Sequence, residues 1–154
     1  MTWYGGCHYS RDKERGLLTI SQQAFRERLV EKYSHGSSTS IPASPGVKLE
    51  GFEGGWPFRE VVGSLMWLAN QTRPDIANAV RAVARYCHVP TSVHWKAVLH
   101  IVRYLKSTSQ LDITFQRGSG LQLEVFADSD FASKAKDRKC ISGGAVMCGR
   151  PAVS

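Results

Sequence analysis

Two aspartates near the end of the chain, Asp128 and Asp130, have the residue type and spacing that most directly suggest chemistry. They follow the apolar stretch "LQLEVFA" and precede the basic stretch "SKAKDRK". Carboxylates that converge at the end of a rigid strand hold pairs of divalent ions ~4 Å apart, which hydrolyse phosphodiester bonds. If the strand continues, Asp130 shares the face of Asp128. The alternative is that both aspartates simply belong to a turn, where Asp is common.

The element that must position Asp128 is a strand, which we expect Val125 and Phe126 to anchor. The segments "LDITFQ", "RGSG" and "LQLEVFAD" predict a hairpin, and "ISGGAVMCG" predicts a third strand.

Glu124 lies about 13 Å from Asp128 on an extended strand, which is too far for both carboxylates to bind one metal ion. A lone carboxylate binds Mg²⁺ weakly. Such a small sheet also exposes an apolar face and an open edge.

The first part of the chain predicts a hairpin followed by one helix. A β-prone stretch from Trp3 to Tyr9, the turn "RDKERG" and the strand "LLTIS" form the hairpin. Ser21 suits a helix N-cap, and Gly36 suits the stop. The apolar residues of this helix recur at four-residue spacing, at Phe25, Leu29 and Tyr33.

Three further helices are predicted after a segment rich in Ser, Pro and Gly, which we interpret as a linker or a draped loop. Proline begins the first two helices, and Thr91 or Ser92 caps the third. Their sequences are "PFREVVGSLMWLANQ", "PDIANAVRAVARYCH" and "SVHWKAVLHIVRYLKS". The apolar positions of the third helix, Val98, Ile101, Val102 and Leu105, are expected to be buried. The predicted fold class is therefore α+β.

Composition narrows the class of protein further. The chain has 154 residues and 42% apolar content, enough for one ordinary domain. No apolar run reaches the ~18 residues of a membrane span, and the start does not resemble a signal peptide, so we expect an intracellular protein with no membrane partner. The four cysteines form no C-x-x-C pair and are expected to be free thiols.

The positive charge is concentrated in one part of the chain. The formal net charge is +7, and residues 71–110 alone carry 6 basic and 1 acidic side chains. Arg81 and Arg85 lie one helical turn apart, while Lys96, Arg103 and Lys106 are left to solvent or a ligand. A localised basic face favours a polyanion, nucleic acid first. A solubilising surface is the alternative explanation.

Several of these segments together resemble one known family. The motifs "VGSLMWLA", "TRPDIANAV", "HWKAVLHIVRYLKST", "ADSDFAS" and "DRKCISGG" occur in this order in Pol polyproteins of copia-type (Pseudoviridae-like) LTR retrotransposons. The opening "YSRDKERGLLTISQQAF" resembles the segment after the polymerase palm in the same proteins. The resemblance covers roughly residues 3–154.

The resemblance implies a domain organisation and a site. Residues 1–36 would be the primer-contacting hairpin and helix of a reverse transcriptase, 37–56 a linker, 57–110 a helical thumb or connection, and 111–154 the truncated start of a ribonuclease H-like fold. Asp128 would be the first metal-binding carboxylate of the ribonuclease H site, which uses Mg²⁺. Asp130 would be a further ligand, an outer-shell group or a turn residue.

Other parts of the family's active sites are not found in the sequence. It has no adjacent pair of aspartates for polymerase chemistry, and the later carboxylates of ribonuclease H have no counterpart here. Phe131, Ser133 and Ala145 depart from the family's usual residues. We therefore expect no complete catalytic site, no stably bound cofactor and no activity of the chain alone, unless a second chain supplies the missing carboxylates.

The expected function is that of a Pol fragment that binds nucleic acid. Its partners would be an RNA/DNA hybrid or template–primer duplex and the rest of the Pol polyprotein. Trp3 and Tyr4 would touch the primer end, or else pack within the hairpin. The expected location is the cytoplasm, in a virus-like particle, or the nucleus. The alternative function is a degenerate or domesticated protein-interaction remnant whose basic face meets an acidic partner.

Overall fold

The computed structural model describes residues 2–34, 55–118, 122–130 and 141–148, together with 40, 42 and 120. These residues form helices and antiparallel strand pairs, which confirms the α+β class in general terms. The elements are β1 (Thr2–Tyr4), β2 (Cys7–Asp12), β3 (Leu17–Ser21), α1 (Gln23–Tyr33), α2 (Phe58–Gln71), a 3₁₀ turn (Pro74–Ile76), α3 (Ala77–Ala84), α4 (Ser92–Ser107), β4 (Ile113–Gln116), β5 (Leu123–Asp130) and β6 (Ile141–Cys148).

The described strands form two sheets, and the chain divides into two compact units. One sheet has the order β1-β2-β3-β4, and the other pairs β5 with β6. Unit 1 consists of Met1–Tyr9 and Ile20–Asp112, and unit 2 consists of Ser10–Thr19 and Ile113–Ser154.

The first hairpin is tighter than the sequence predicted. The stretch from Trp3 to Tyr9 is not one strand, because the chain reverses at Gly5 and Gly6, which have φ values of 56° and 76°. The register pairs Trp3 with His8 across this turn. Two consecutive residues with positive φ make a two-residue turn that glycine adopts without strain.

Helix α1 begins without the predicted cap. Ser21 is the last residue of β3, and Gln22 occupies the cap position with no side-chain hydrogen bond to the helix. The helix is instead fixed by buried residues, of which Leu29 and Tyr33 join the apolar core. Arg26 is also buried and donates to the carbonyl oxygens of Ser109 and Leu111.

The helical core of unit 1 follows the predicted apolar positions closely. The four apolar positions predicted to be buried in α4 are all buried, and residues of α1, α2 and α3 pack with them in one cluster. Met66 of α2 lies outside this cluster and is exposed. The cluster consists of Leu29, Tyr33, Phe58, Val61, Val62, Leu65, Leu68, Ala69, Ile76, Ala79, Val80, Val83, Val98, Ile101, Val102, Tyr104 and Leu105.

The segment that begins at Pro74 is less regular than predicted. It starts as a 3₁₀ turn, and α3 then ends at Ala84. Arg85 is the C-cap of α3, so it lies one turn after Arg81 at the end of the helix. Tyr86 and Cys87 continue in turns whose N–H groups donate to the carbonyl oxygens of Val83 and Ala84.

A buried arginine connects this segment to the end of α4. Arg73 is 1% exposed, and its Nε and Nη2 atoms donate to the two Asp75 carboxylate oxygens over 2.9 and 2.7 Å. Nη1 donates to the carbonyl oxygen of Thr108, and the Tyr104 hydroxyl donates to Asp75. Burial acts to raise the pKa of Asp75, but the hydrogen bond and charge of Arg73 hold it below its usual value.

In unit 2 the predicted hairpin between "LDITFQ" and "LQLEVFAD" is wrong. β4 lies beside β3 in one sheet, while β5 pairs with β6 in the other. The hydroxyls of Thr19 and Thr114 lie 3.3 Å apart, and the Arg117 N–H donates to the Gly16 carbonyl oxygen. Long-range pairing of β3 with β4 therefore replaces the local pairing that the glycine turn suggested.

The strand that contains Asp128 is not anchored as predicted. Val125 and Phe126, which the sequence indicated as anchors, are 71% and 59% exposed. β5 is held by its backbone pairing with β6, in which Val125 faces Val146 and Phe126 faces Ala145. The apolar side chains of β5 are thus open to solvent, as expected for a small sheet with few covering elements.

We predict that Asp75→Asn destabilises the protein by roughly 2–3 kcal/mol at pH 7, because it leaves the buried Arg73 charge without a counter-ion. Since the folded state lowers the pKa of Asp75, this stabilisation is complete above the ordinary Asp value of ~3.9 and is lost as pH falls through the lower folded-state pKa. Urea unfolding followed by circular dichroism at several pH values measures both effects.

The control is Glu27→Gln, an exposed carboxylate of α1 that accepts a hydrogen bond from Gln23. It should change the free energy of unfolding by less than about 0.5 kcal/mol. An Asp75→Asn protein as stable as this control at neutral pH would contradict the role of the ion pair.

Candidate nucleic-acid-binding surface

Helix α4 carries most of the predicted basic residues and is fixed at its N-terminus by a side-chain cap. The Thr91 side chain accepts a hydrogen bond from the His94 N–H, and His94 Nδ1 accepts one from the Thr91 N–H over 3.0 Å. The His94 ring stacks on Tyr86 with 3.9 Å between centroids. This is a capping box with histidine in the position usually held by Glu or Gln.

The C-terminal end of α4 is held by two buried arginines. Arg73 donates to the carbonyl and hydroxyl oxygens of Thr108, the C-cap residue, and Arg26 donates to the carbonyl oxygen of Ser109. Cations at this end of a helix are favoured by its dipole. Both ends of α4 are therefore fixed by hydrogen bonds. The backbone positions of its exposed side chains are fixed as a result.

The five predicted phosphate-binding residues all reach the surface. Arg81, Arg85, Lys96 and Lys106 are exposed, and Arg103 is half-buried, with its Nε donating to the Leu99 carbonyl oxygen. On α4 the spacing of Lys96, His100 and Arg103 places them along one stripe of the helix. The sequence analysis did not include His100, which is half-buried on this stripe.

The carboxylates of this region are already paired with cations. Between residues 57 and 110 the sequence contains Glu60 and Asp75. Glu60 accepts hydrogen bonds from Lys32 and Tyr33, and Lys32 holds the pKa of Glu60 below its usual value through the hydrogen bond and its charge. Asp75 pairs with Arg73. In the ion pairs of the described residues, neither carboxylate therefore pairs with the exposed Lys96 or Lys106 of α4.

Exposed aromatic residues lie on the hairpin and on α2. Trp3 and Tyr4 of β1 are exposed, and the Trp3 ring lies 5.1 Å from the His8 ring. Trp67 of α2 is also exposed, and a Cβ atom placed on Gly6 would lie 3.4 Å from its ring. Trp3 and Tyr4 were predicted from the sequence as primer contacts, whereas Trp67 was not.

The structure places Asp128 and Asp130 in strand β5 rather than in a turn. The strand runs from Leu123 to Asp130, and its register pairs Asp128 with Gly143 and Asp130 with Ile141. Because β5 continues through Asp130, positions 128 and 130 lie two residues apart on one strand, which is the arrangement in which they were expected to share a face. The basic stretch that follows, residues 131–140, lies outside the described residues.

The expectation of an incomplete Mg²⁺ site around Asp128 stays a prediction. Within residues 2–34, 55–118, 122–130 and 141–148, no three His, Cys, Asp or Glu side chains come together as a metal site. Cys7, Cys87 and Cys148 are free thiols, and burial raises the pKa of Cys7 and Cys87. The described residues therefore contain no cluster of ligands for a two-metal centre.

Three similar curated proteins are polyproteins of plant transposons. "Retrovirus-related Pol polyprotein from transposon TNT 1-94" of Nicotiana tabacum is 32% identical over 151 residues, covering 90% of this chain and 11% of the relative. The corresponding protein of transposon RE1 from Arabidopsis thaliana is 35% identical over 144 residues, covering 89% and 10%. That of transposon RE2, from the same plant, is 37% identical over 97 residues, covering 63% and 7%.

These three homologues are retrovirus-related Pol polyproteins of plant transposons, which supports a relationship of this chain to such polyproteins. The predicted relationship is thereby confirmed at that level. The chain spans about a tenth of the length of these Pol polyproteins. No family model matches the sequence, and no solved structure matches it. No helix in the described residues is both long enough and apolar enough to cross a membrane.

We predict that Thr91→Ala destabilises the protein by about 1 kcal/mol, because the first turn of α4 loses its capping oxygen. Thr91→Ser keeps the hydroxyl and should stay within about 0.5 kcal/mol of the native protein. Urea unfolding of the two variants provides the comparison. Equal losses in both variants would mean that the methyl group of Thr91, rather than the cap, stabilises α4.

Proposed function

We propose that this chain corresponds to the end of the reverse transcriptase and the beginning of the ribonuclease H domain in a copia-type retrotransposon Pol polyprotein. The proposal rests on the homology to Pol polyproteins and on the order of the quoted motifs. The proposed parts are the hairpin and first helix at 1–36, a linker at 37–56, the helical thumb or connection at 57–110 and the ribonuclease H portion at 111–154.

Within this assignment, the helical part binds an RNA/DNA hybrid or template–primer duplex. The observation that carries the proposal is the exposure of Lys96 and Lys106 on α4, neither of which belongs to an ion pair found among the described residues, while Glu60 and Asp75 pair with Lys32 and Arg73. Lysine and arginine on a rigid helix contact backbone phosphates and release counter-ions, without reading base sequence.

The aromatic residues of the hairpin add a second type of contact. Trp3, Tyr4 and Trp67 present exposed rings, and a ring can stack on a terminal base or pack against a sugar. We place the primer end near Trp3 and Tyr4. This arrangement combines phosphate contacts on α4 with stacking at the hairpin, and the rest of the Pol polyprotein would complete the binding channel.

Binding of a fluorescent RNA/DNA hybrid, measured by anisotropy from 50 to 300 mM salt, tests the proposal. The variant Lys96→Gln/Lys106→Gln removes two exposed cations of α4. It should weaken binding roughly tenfold at low salt and reduce the slope of log K against log salt by about 2.

The matched control is Arg15→Gln/Arg28→Gln, which removes the same charge from the β2–β3 turn and from α1. The control should retain most of the affinity. If both double variants lose affinity equally, the interaction follows net charge alone and the α4 surface is wrong. Absence of hybrid binding by the native chain at 50 mM salt would favour the alternative, a protein-interaction remnant.

We further propose that this chain has no complete catalytic site, so that the purified protein cleaves no RNA/DNA hybrid in Mg²⁺ and extends no primer. Gel analysis of labelled hybrid after prolonged incubation measures both reactions. Cleavage by the native chain that disappears in Asp128→Asn would overturn this prediction and establish Asp128 as a catalytic carboxylate.

A further inference from the structure

Unit 2 contains a cleft of about 580 Å³ that the sequence analysis did not anticipate. Arg11 and Lys13 contribute to it from the end of β2 and the following turn, and Arg117 contributes from the residue after β4. Leu18 and Phe115 form part of its apolar wall. Among the described residues, no carboxylate lines this cleft.

Two acidic residues, Asp12 and Glu14, flank Lys13 in the sequence, but neither lines the cleft, and Asp12 is occupied elsewhere. The Asp12 carboxylate accepts hydrogen bonds from the N–H groups of Glu14 and Arg15, and it lies 3.8 Å from the Arg15 guanidinium. In the described part of the chain, the three cations of the cleft form no ion pair. Their charge is therefore available to an anionic ligand.

The backbone brings these distant residues together by a close approach at Gly16. The Arg117 N–H donates to the Gly16 carbonyl oxygen over 2.7 Å, and Gly16 has a φ of 65°. A Cβ atom on Gly16 would lie 2.9 Å from the Arg117 Cβ, so only glycine allows this spacing. Arg117 is thereby held beside the turn that carries Lys13.

We propose that this cleft binds a short stretch of single-stranded nucleic acid, with phosphates against the three cations and an unstacked base against Leu18 and Phe115. Cations beside an apolar or aromatic wall are the combination that binds single strands. Inside a duplex the bases stay stacked on each other, so an internal base cannot offer its face to this wall, whereas any base of a single strand can. The volume lies within the range of small-ligand sites. The proposal shares its ligand class with the proposed function but uses a different site.

The test uses the full chain and a fluorescent five-residue oligothymidylate in an anisotropy titration. The variant Lys13→Gln/Arg117→Gln should weaken binding about tenfold and lower the salt slope by about 1.4, the value for two phosphates of a single strand. The control Arg15→Gln/Arg28→Gln removes equal charge outside the cleft lining and should stay within twofold of the native chain. Circular dichroism spectra establish that each variant is folded.

Three results would overturn the proposal. One is an equal loss in the control, which would indicate binding by net charge. Another is displacement of the oligonucleotide by inorganic tripolyphosphate at equal phosphate concentration, which would indicate a site for free phosphate. The third is displacement by polyglutamate at equal charge, which would indicate an acidic protein partner. If Lys13→Gln/Arg117→Gln does not fold, Lys13→Gln alone replaces it, with about a threefold loss expected.

The variant of α4 separates this proposal from the proposed function. Lys96→Gln/Lys106→Gln should leave binding of the five-residue strand within twofold of the native value while it weakens binding of the hybrid. Loss of strand binding in that variant, with none in Lys13→Gln/Arg117→Gln, would place the strand on α4 and reject the cleft. Failure of hybrid binding alone would reject the α4 surface and keep the cleft.

Discussion

The ion pair between Arg73 and Asp75 is the interaction on which the helical unit depends most directly. A charge that is almost completely removed from water must find partners, and Arg73 finds them in the carboxylate of Asp75 and in both oxygens of Thr108. This requirement joins the turn before α3 to the end of α4. Tyr104 completes the arrangement, since its hydroxyl donates to Asp75 and its ring lies under the guanidinium.

The need of buried arginines for hydrogen-bond partners also fixes the helix that carries the proposed binding surface. Because Arg73 and Arg26 hold the C-terminal end of α4 while Thr91 and His94 hold its beginning, the helix is fixed at both ends. Two of the region's cations thus have structural roles inside the protein. The cations that remain on α3 and α4 are at the surface, where they add to an electrostatic potential that attracts polyanions. Arg26 and Arg73 are buried, whereas Arg81 and Arg85 of the proposed binding surface are exposed.

The two units contrast in how they are stabilised. The helices of unit 1 share one apolar cluster, which supplies most of the burial in the described residues. In unit 2 the paired strands β5 and β6 leave the side chains of Val125 and Phe126 exposed to water. These two strands are held together by their backbone pairing. A strand pair with an exposed apolar side gains little from burial.

The sequence by itself determined the helices α2 and α4, the buried face of α4 and a cap at Thr91 or Ser92, because apolar periodicity and capping are local properties. It also determined the Pol relationship and the uneven charge. Only the tertiary structure decided the pairing of β3 with β4, the exposure of Phe126, and the meeting of Lys13 with Arg117. Each depends on contacts between residues far apart in the chain, and a local pattern such as a glycine turn does not encode which strand will be the partner.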